Sequence, residues 1–143
     1  MTIRVLLVDD ETSFVETLGR RLGLRRLQVL TAASAAEALA TLDREEVDVV
    51  VLDVRMPGMG GIEATKEIRS AHPTVEVILL TGHASLEASL EGMTMGAFDY
   101  LLKPVSIDEL IFKIEDAHRR RTLRLEGVRS RKDGDGERGP ESG

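Results

Sequence analysis

The stretch Val47-Asp48-Val49-Val50-Val51-Leu52-Asp53-Val54-Arg55-Met56-Pro57-Gly58 limits what this chain can fold into more than any other. A short, unbroken run of β-branched and aliphatic residues that ends in turn residues is the pattern of a central strand covered on both faces. Such strands belong to parallel sheets flanked by helices. Asp53 stands at the far end of the run. There the sheet holds a carboxylate rigidly, apolar walls lie close by and one side stays open to solvent, a placement suited to chemistry.

The rest of the chain repeats the strand-then-helix alternation. Residues 3–8 form an apolar strand ending in Asp9-Asp10-Glu11, after which Phe14, Val15, Leu18 and Leu22 recur at helical spacing up to Gly23. Residues 27–32 give a weaker second strand, followed by Ser34-Ala35-Ala36-Glu37, a capping box that opens a helix. Past the central strand, Gly60-Gly61 leads into a helix over 62–71 that His72-Pro73 should end. Residues 75–80 form a strand that stops at Thr81-Gly82. A poor helix follows over 85–95, with Gly92 and Thr94 inside it. A short strand over 98–102 runs into Lys103-Pro104, and Ser106-Ile107-Asp108-Glu109 caps a last helix lined by Ile107, Leu110, Ile111 and Ile114. This spacing predicts an α/β, doubly wound, five-stranded parallel sheet with helices on both faces.

Composition sets the surroundings. At 143 residues the chain is one domain's worth, large enough to bury a core without staples. No cysteine is present, which excludes disulfides, thiolate zinc sites and cysteine catalysis. Strand-like sequence begins by Ile3, leaving no room for a signal peptide, and no apolar run nears the roughly 20 residues of a membrane span. A cytoplasmic protein with no membrane partner is expected. Net charge is −6, from 25 acidic against 19 basic residues, and three Phe, one Tyr and no Trp give bases little to stack on, so no direct nucleic-acid binding is expected. The expected domain is 1–126, and the charged, Gly-rich stretch 127–143 reads as a disordered polar tail. Arg119-Arg120-Arg121 is read as cations complementing the dipole at a helix C-terminus rather than as a nucleic-acid patch.

Ligands of open α/β sheets bind outside the carboxyl ends of the strands, near the point where strand order reverses. Four of the five strands end in a reactive side chain: Asp9-Asp10, Asp53, Thr81 and Lys103. If the strand order is 2-1-3-4-5, these ends surround one crevice. Three carboxylates so close repel one another by roughly 1–4 kcal/mol per pair. Lys103 offsets part of that, and a hard divalent ion such as Mg²⁺ would offset the rest. Carboxylates, a lysine, a hydroxyl and Mg²⁺ are the equipment of phosphoryl transfer, with Asp53 as the nucleophile.

Taken together, Leu7-Val8-Asp9-Asp10-Glu11, residues 51–58, Leu80-Thr81-Gly82-His83-Ala84 and residues 96–104 resemble the receiver domains of two-component response regulators, over about residues 3–120. The resemblance implies a flavodoxin-like fold of strand order 2-1-3-4-5. It implies that Asp53 is the phosphoacceptor for a sensor histidine kinase or phosphotransfer protein, and that Asp10 ligates Mg²⁺ directly and Asp9 through water. The Arg55 backbone carbonyl would be a further ligand, and Lys103 would contact the phosphoryl oxygens. Thr81 and Tyr100 are implied as switch residues, the Lys103-Pro104 bond as cis, and Gly82 as leaving the site open to water. Gly60 departs from the Asp or Asn often found in that loop, though glycine also serves as an N-cap. The partners implied are the kinase and a downstream output protein, with a monomer or a phosphorylation-dependent dimer as the assembly. Such a protein is not an enzyme beyond catalysing its own phosphorylation and slow autodephosphorylation.

Each residue has a plainer role to set beside this one. A single Asp at a strand end is ordinarily a turn or cap residue, Thr81-Gly82 an ordinary turn, Lys103 a surface lysine and Tyr100 core. His83 and His118 read as solvated, and His72 as a helix-end residue. Gly58-Met59-Gly60-Gly61 lacks the spacing of a dinucleotide fingerprint, and nothing matches a P-loop. A haloacid dehalogenase-type phosphatase also places a nucleophilic Asp after an apolar strand, but it needs a second Asp two residues on, where Arg55 stands here, and a cap domain. A free-standing single-domain regulator is the expectation, with a receiver fragment of a larger transcription regulator as the alternative.

Overall fold

The computed structural model describes residues 2–82 and 86–138, with side chains as far as residue 127. His83, Ala84 and Ser85, on which the solvated reading of His83, one motif and the expected start of a helix rest, lie outside the described residues. Strands and helices alternate: β1 (Arg4–Val8), α1 (Thr12–Leu24), β2 (Gln28–Ala32), α2 (Ala35–Arg44), β3 (Val49–Asp53), α3 (Gly61–Ala71), β4 (Glu76–Thr81), α4 (Leu86–Thr94), β5 (Asp99–Leu102) and α5 (Ile107–Arg138). The five strands are all parallel in the order β2-β1-β3-β4-β5. The doubly wound sheet is therefore as expected, with β3 at its centre and every residue of β3 buried.

Side-chain alternation along the strands makes two cores. Val5, Leu7, Val49, Val51, Ile78 and Leu80 pack against α1 and α5 through Leu18, Leu22, Leu110 and Ile114. Leu6, Val8, Val50, Leu52, Val77 and Leu79 pack on the other face against α2 and α3 through Ala38, Leu42, Ala64 and Ile68. The expected capping box at Ser34 forms with both side chains bonded, and at Ser106 the serine half of the second is present. Ser34 Oγ accepts from the Glu37 amide at 3.2 Å while Glu37 Oε2 accepts from the Ala33 amide at 3.0 Å, and Ser106 Oγ accepts from the Glu109 amide at 3.4 Å. His72 does end α3, and its ring meets Asp43 at 3.1 Å. Gly92 has a packing role beyond weakening α4. A Cβ there would run into Leu79 Cδ1 and come 3.0 Å from Ile62, so its absence lets α4 lie close on β4 and α3.

Strand register sets the level of each site residue. Val8 pairs with Leu52, so Asp9 and Asp53 come next on neighbouring strands. Asp53 pairs with Leu80 and Thr81 with Leu102, which puts Thr81 one step and Lys103 two steps further on.

The last helix differs from expectation in two ways. It continues through Gly127 to Arg138, where an unstructured tail was expected from Gly127. An existing helix needs no new nucleus to propagate, and a glycine within it costs only about 1 kcal/mol relative to alanine. Nor do its arginines mark a helix end. Arg121 Nη1 donates to Asp48 Oδ1 at 2.8 Å, Arg119 pairs with Asp116, and Arg120 and Arg124 lie 3.7 and 2.9 Å from the carboxylate of Glu76. Glu76, only 1% exposed, opens β4 and has Arg69 of α3 at 3.9 Å as a third cation. Asp48 Oδ2 accepts from the Arg4 amide at 2.8 Å. These two carboxylates at the N-terminal edge of the sheet fasten α5 for two turns past Ala117, where its apolar face ends.

Removing a buried partner from such a cluster leaves charge unpaired. Glu76→Ala should therefore destabilise the fold by roughly 1–3 kcal/mol, seen as a lower urea midpoint at unchanged slope. Arg124→Ala should cost less, because its side chain is 34% exposed. Equal losses from the two would mean that the cluster acts as an ordinary surface ion-pair set.

Candidate functional site

At the C-terminal edge of the sheet, Asp9, Asp10 and Asp53 each offer a carboxylate oxygen, and these oxygens all lie within 4.8 Å of one another. Asp9 and Asp53 are 3% and 7% exposed, whereas Asp10 faces solvent. Asp9 Oδ1 accepts from the Glu11 amide at 3.0 Å, which holds its carboxyl group beside the start of α1. Lys103 reaches in from the end of β5. Its Nζ lies 3.0 Å from Asp9 Oδ2 and 3.0 Å from Asp53 Oδ1. The Lys103-Pro104 peptide bond after it is cis.

The two partners of the Lys103–Asp53 pair respond differently to that setting. Burial pushes the Asp53 pKa up, the hydrogen bond from Lys103 pulls it down, and the neighbouring charges of Asp9 and Asp10 push it up again, leaving it above the ordinary 3.8. Burial alone would lower Lys103, but hydrogen bonds to Asp53 and Asp9 outweigh it and hold the ammonium more firmly charged than an ordinary lysine. One ammonium cannot balance three carboxylates. An all-oxygen donor set with excess negative charge and one face open to water fits a small, hard divalent cation. Asp9, Asp10 and Asp53 are the side chains that would hold it.

The remaining expected residues surround this cluster. Thr81, 1% exposed, donates from Oγ1 to the Gly82 carbonyl at 3.0 Å, and its own carbonyl accepts from the Lys103 amide at 2.8 Å. Among the described residues, none would come within 4 Å of a Cβ added at Gly82. Arg55 is exposed two residues beyond Asp53. Tyr100 is half-buried and packs against the core beneath α2 and α3 rather than lying free on the surface. Gly60 does cap α3, without a side-chain bond.

Two residues of the site escape a reading of the sequence. The Phe14 ring lies 4.5 Å from Lys103 Nζ, a cation–π contact, although its helical spacing assigns it simply to the core. At Gly61, the first residue of α3, a Cβ would come 2.5 Å from the Asp53 carbonyl oxygen and 2.8 Å from Val54 Cα. Only glycine lets α3 start this close to the backbone that carries Asp53, and its amide donates to the Val54 carbonyl at 2.9 Å. The Gly60-Gly61 doublet was the available signal.

Comparison with known proteins gives a consistent picture. Residues 5–115 match the response regulator receiver domain family. Over 113 residues, 79% of the chain, it is 42% identical to the transcriptional regulatory protein GlrR and 41% identical to the DNA-binding transcriptional regulator NtrC, both of Escherichia coli (strain K12). These matches cover 26% and 24% of the two relatives, so the chain spans about a quarter of their length. The crystal structure of a response regulator receiver domain protein from Clostridium thermocellum superposes with a TM-score of 0.81 at 35% identity, covering 85% of this chain and 98% of that one.

The raised Asp53 pKa has a consequence for stability. The folded chain holds this proton more tightly than the unfolded chain does, so ionised Asp53 costs stability, and the cost builds as pH rises from 3.8 through the raised value. Asp53→Asn should therefore melt above the wild type at pH 7 in chelator-treated buffer. The gap should close as pH falls toward about 4, the ordinary carboxylate range. Thermal melts across that range check it, and an Asp53→Asn protein less stable at pH 7 would reverse the assignment.

Proposed function

Because the chain belongs to the response regulator receiver domain family of two-component signalling, we propose that Asp53 accepts a phosphoryl group from a sensor histidine kinase or phosphotransfer protein and that this switches a protein-binding face. The observation that carries the proposal is the cluster of Asp9, Asp10 and Asp53 carboxylates, two of which, those of Asp9 and Asp53, meet the Lys103 ammonium. An Asp53 carboxylate oxygen attacks phosphorus, the bond from phosphorus to the donor imidazole breaks, and the imidazole nitrogen leaves with the electron pair and takes up a proton. Lys103 turns its charge to the phosphoryl oxygens. Asp9, Asp10, Asp53 and the Arg55 backbone carbonyl would hold Mg²⁺, which would supply charge neutralisation there. The chain acts on no separate substrate; it catalyses its own phosphorylation and slow hydrolysis, with the space beside Gly82 open to water.

Output follows from the same geometry. The Thr81 hydroxyl gives up its turn bond to the Gly82 carbonyl and moves to the phosphoryl group, and the half-buried Tyr100 turns further inward. Leu86, Leu90 and Met93 on α4, Leu102 on β5 and Phe112 on α5 are exposed apolar side chains on the face this would reshape, the surface for an output protein or a second copy.

The receiver unit is taken as 1–126, with 127–143 as a polar extension. A free-standing regulator is the first setting, in keeping with the near-complete coverage of the Clostridium thermocellum receiver. The relatives favour a second, in which the receiver is part of a larger transcription regulator, since GlrR and NtrC are about four times as long as the match. An immunoblot of the natural product against this chain decides by size.

With a small acyl phosphate and a magnesium salt, intact-mass spectrometry should find one added phosphoryl group on the wild type and none on Asp53→Asn; equal modification of both would sink the acceptor assignment. On phosphorylation, NMR shifts should extend through residues 82–112. Thr81→Ala should still accept phosphate yet lose much of that distal change. A Thr81→Ala protein that switches normally would mean that output takes another route.

A further inference from the structure

The Lys103 ammonium has three N–H bonds and accepts nothing. Two carboxylates, of Asp9 and Asp53, stand 3.0 Å from it, and the Phe14 ring lies at 4.5 Å. That ring is itself held. Phe14 lies in the first turn of α1 and is packed on the core that includes Leu18, with Val105 of the β5–α5 connection and Ile107 at the start of α5 lining the same recess. An immobilised aromatic face carries fixed negative potential that neither a metal ion nor a phosphoryl group consumes.

We infer that Phe14 is a positioning residue for Lys103, its ring keeping the ammonium over the site while the carboxylates are drawn to a divalent cation and to the phosphoryl group. The inference rests on the phosphoacceptor reading of Asp53. Both polar partners of Lys103 are groups that the reaction claims. When a cation takes their lone pairs, and when one Asp53 oxygen becomes esterified, the two ion pairs weaken together. The long, flexible lysine stem would then release the charge into solvent. The ring contact is unchanged by either event, so the charge stays where phosphoryl oxygens arrive.

The plainer alternative is that Phe14 only fills the recess. Phe14→Leu keeps apolar bulk there and removes the ring face, and Phe14→Tyr keeps the ring. Two readouts separate the roles. The first is the ring-current shift of the Lys103 Hε protons, followed by NMR as Mg²⁺ is titrated into the unphosphorylated protein. The upfield shift should persist at saturating Mg²⁺ in the wild type and in Phe14→Tyr, and be absent from Phe14→Leu. The second is the rate of phosphorylation by acetyl phosphate, expressed as kcat/KM. Phe14→Leu should lose about three- to tenfold, the worth of one partly desolvated cation–π contact, and Phe14→Tyr should recover most of it.

A wild-type shift that vanishes on adding Mg²⁺, or equal rates for Phe14→Leu and Phe14→Tyr, would overturn the inference. Should Phe14→Leu not fold, the wild-type titration decides alone. Failure of the acceptor reading looks different. Asp53→Asn would then still gain a phosphoryl group, while the ring-current titration, which involves no phosphorylation, would be unaffected.

Discussion

A single ammonium shared between two carboxylates holds the working end of this molecule together. Lys103 stands 3.0 Å from both Asp9 and Asp53, residues far apart in the chain that strand register brings side by side. Without that charge, two buried carboxylates and a third at the rim would face one another at distances where like charges repel by roughly 4 kcal/mol at the effective dielectric of a protein surface. With it, the repulsion is reduced but not removed, and Asp53 still sits above its ordinary pKa. Such a site gains from added positive charge.

The two edges of the sheet make the point by contrast. At the N-terminal edge, the buried carboxylate of Glu76 faces guanidinium groups of Arg69, Arg120 and Arg124, and Asp48 is satisfied by Arg121 and the Arg4 amide. Cations are in surplus there, and the ion pairs join α5 to the sheet. At the C-terminal edge, three carboxylates cluster and one lysine pairs with two of them. The same residue types tie a helix to the sheet at one edge and leave negative charge in excess at the other.

Much of this was legible in the sequence because it depends on local pattern. The buried run ending in Asp53, the capping boxes at Ser34 and Ser106 and the strand-end positions of Asp9, Asp10, Thr81 and Lys103 follow from short stretches, and the strand order came with the family resemblance. What was not legible depends on which elements meet. Phe14 reads as a core residue until α1 is seen to lie against the end of β5. Gly61 reads as a flexible turn until α3 is seen to start on the Asp53 backbone. Arg120 and Arg121 read as a helix end because their partners, Glu76 and Asp48, lie more than forty positions away. The apolar stripe of α5 stops at Ala117, and charge pairing carries the helix on as far as Arg124.

If Lys103 and a divalent cation draw on the same carboxylates, they must compete. Calorimetric titration of Mg²⁺ into the unphosphorylated wild type, Lys103→Met and Asp10→Ala proteins tests that directly. The account predicts weak binding by the wild type, tighter binding by Lys103→Met, where the carboxylates have lost their internal counter-charge, and none by Asp10→Ala. Weaker binding by Lys103→Met, or undiminished binding by Asp10→Ala, would contradict it.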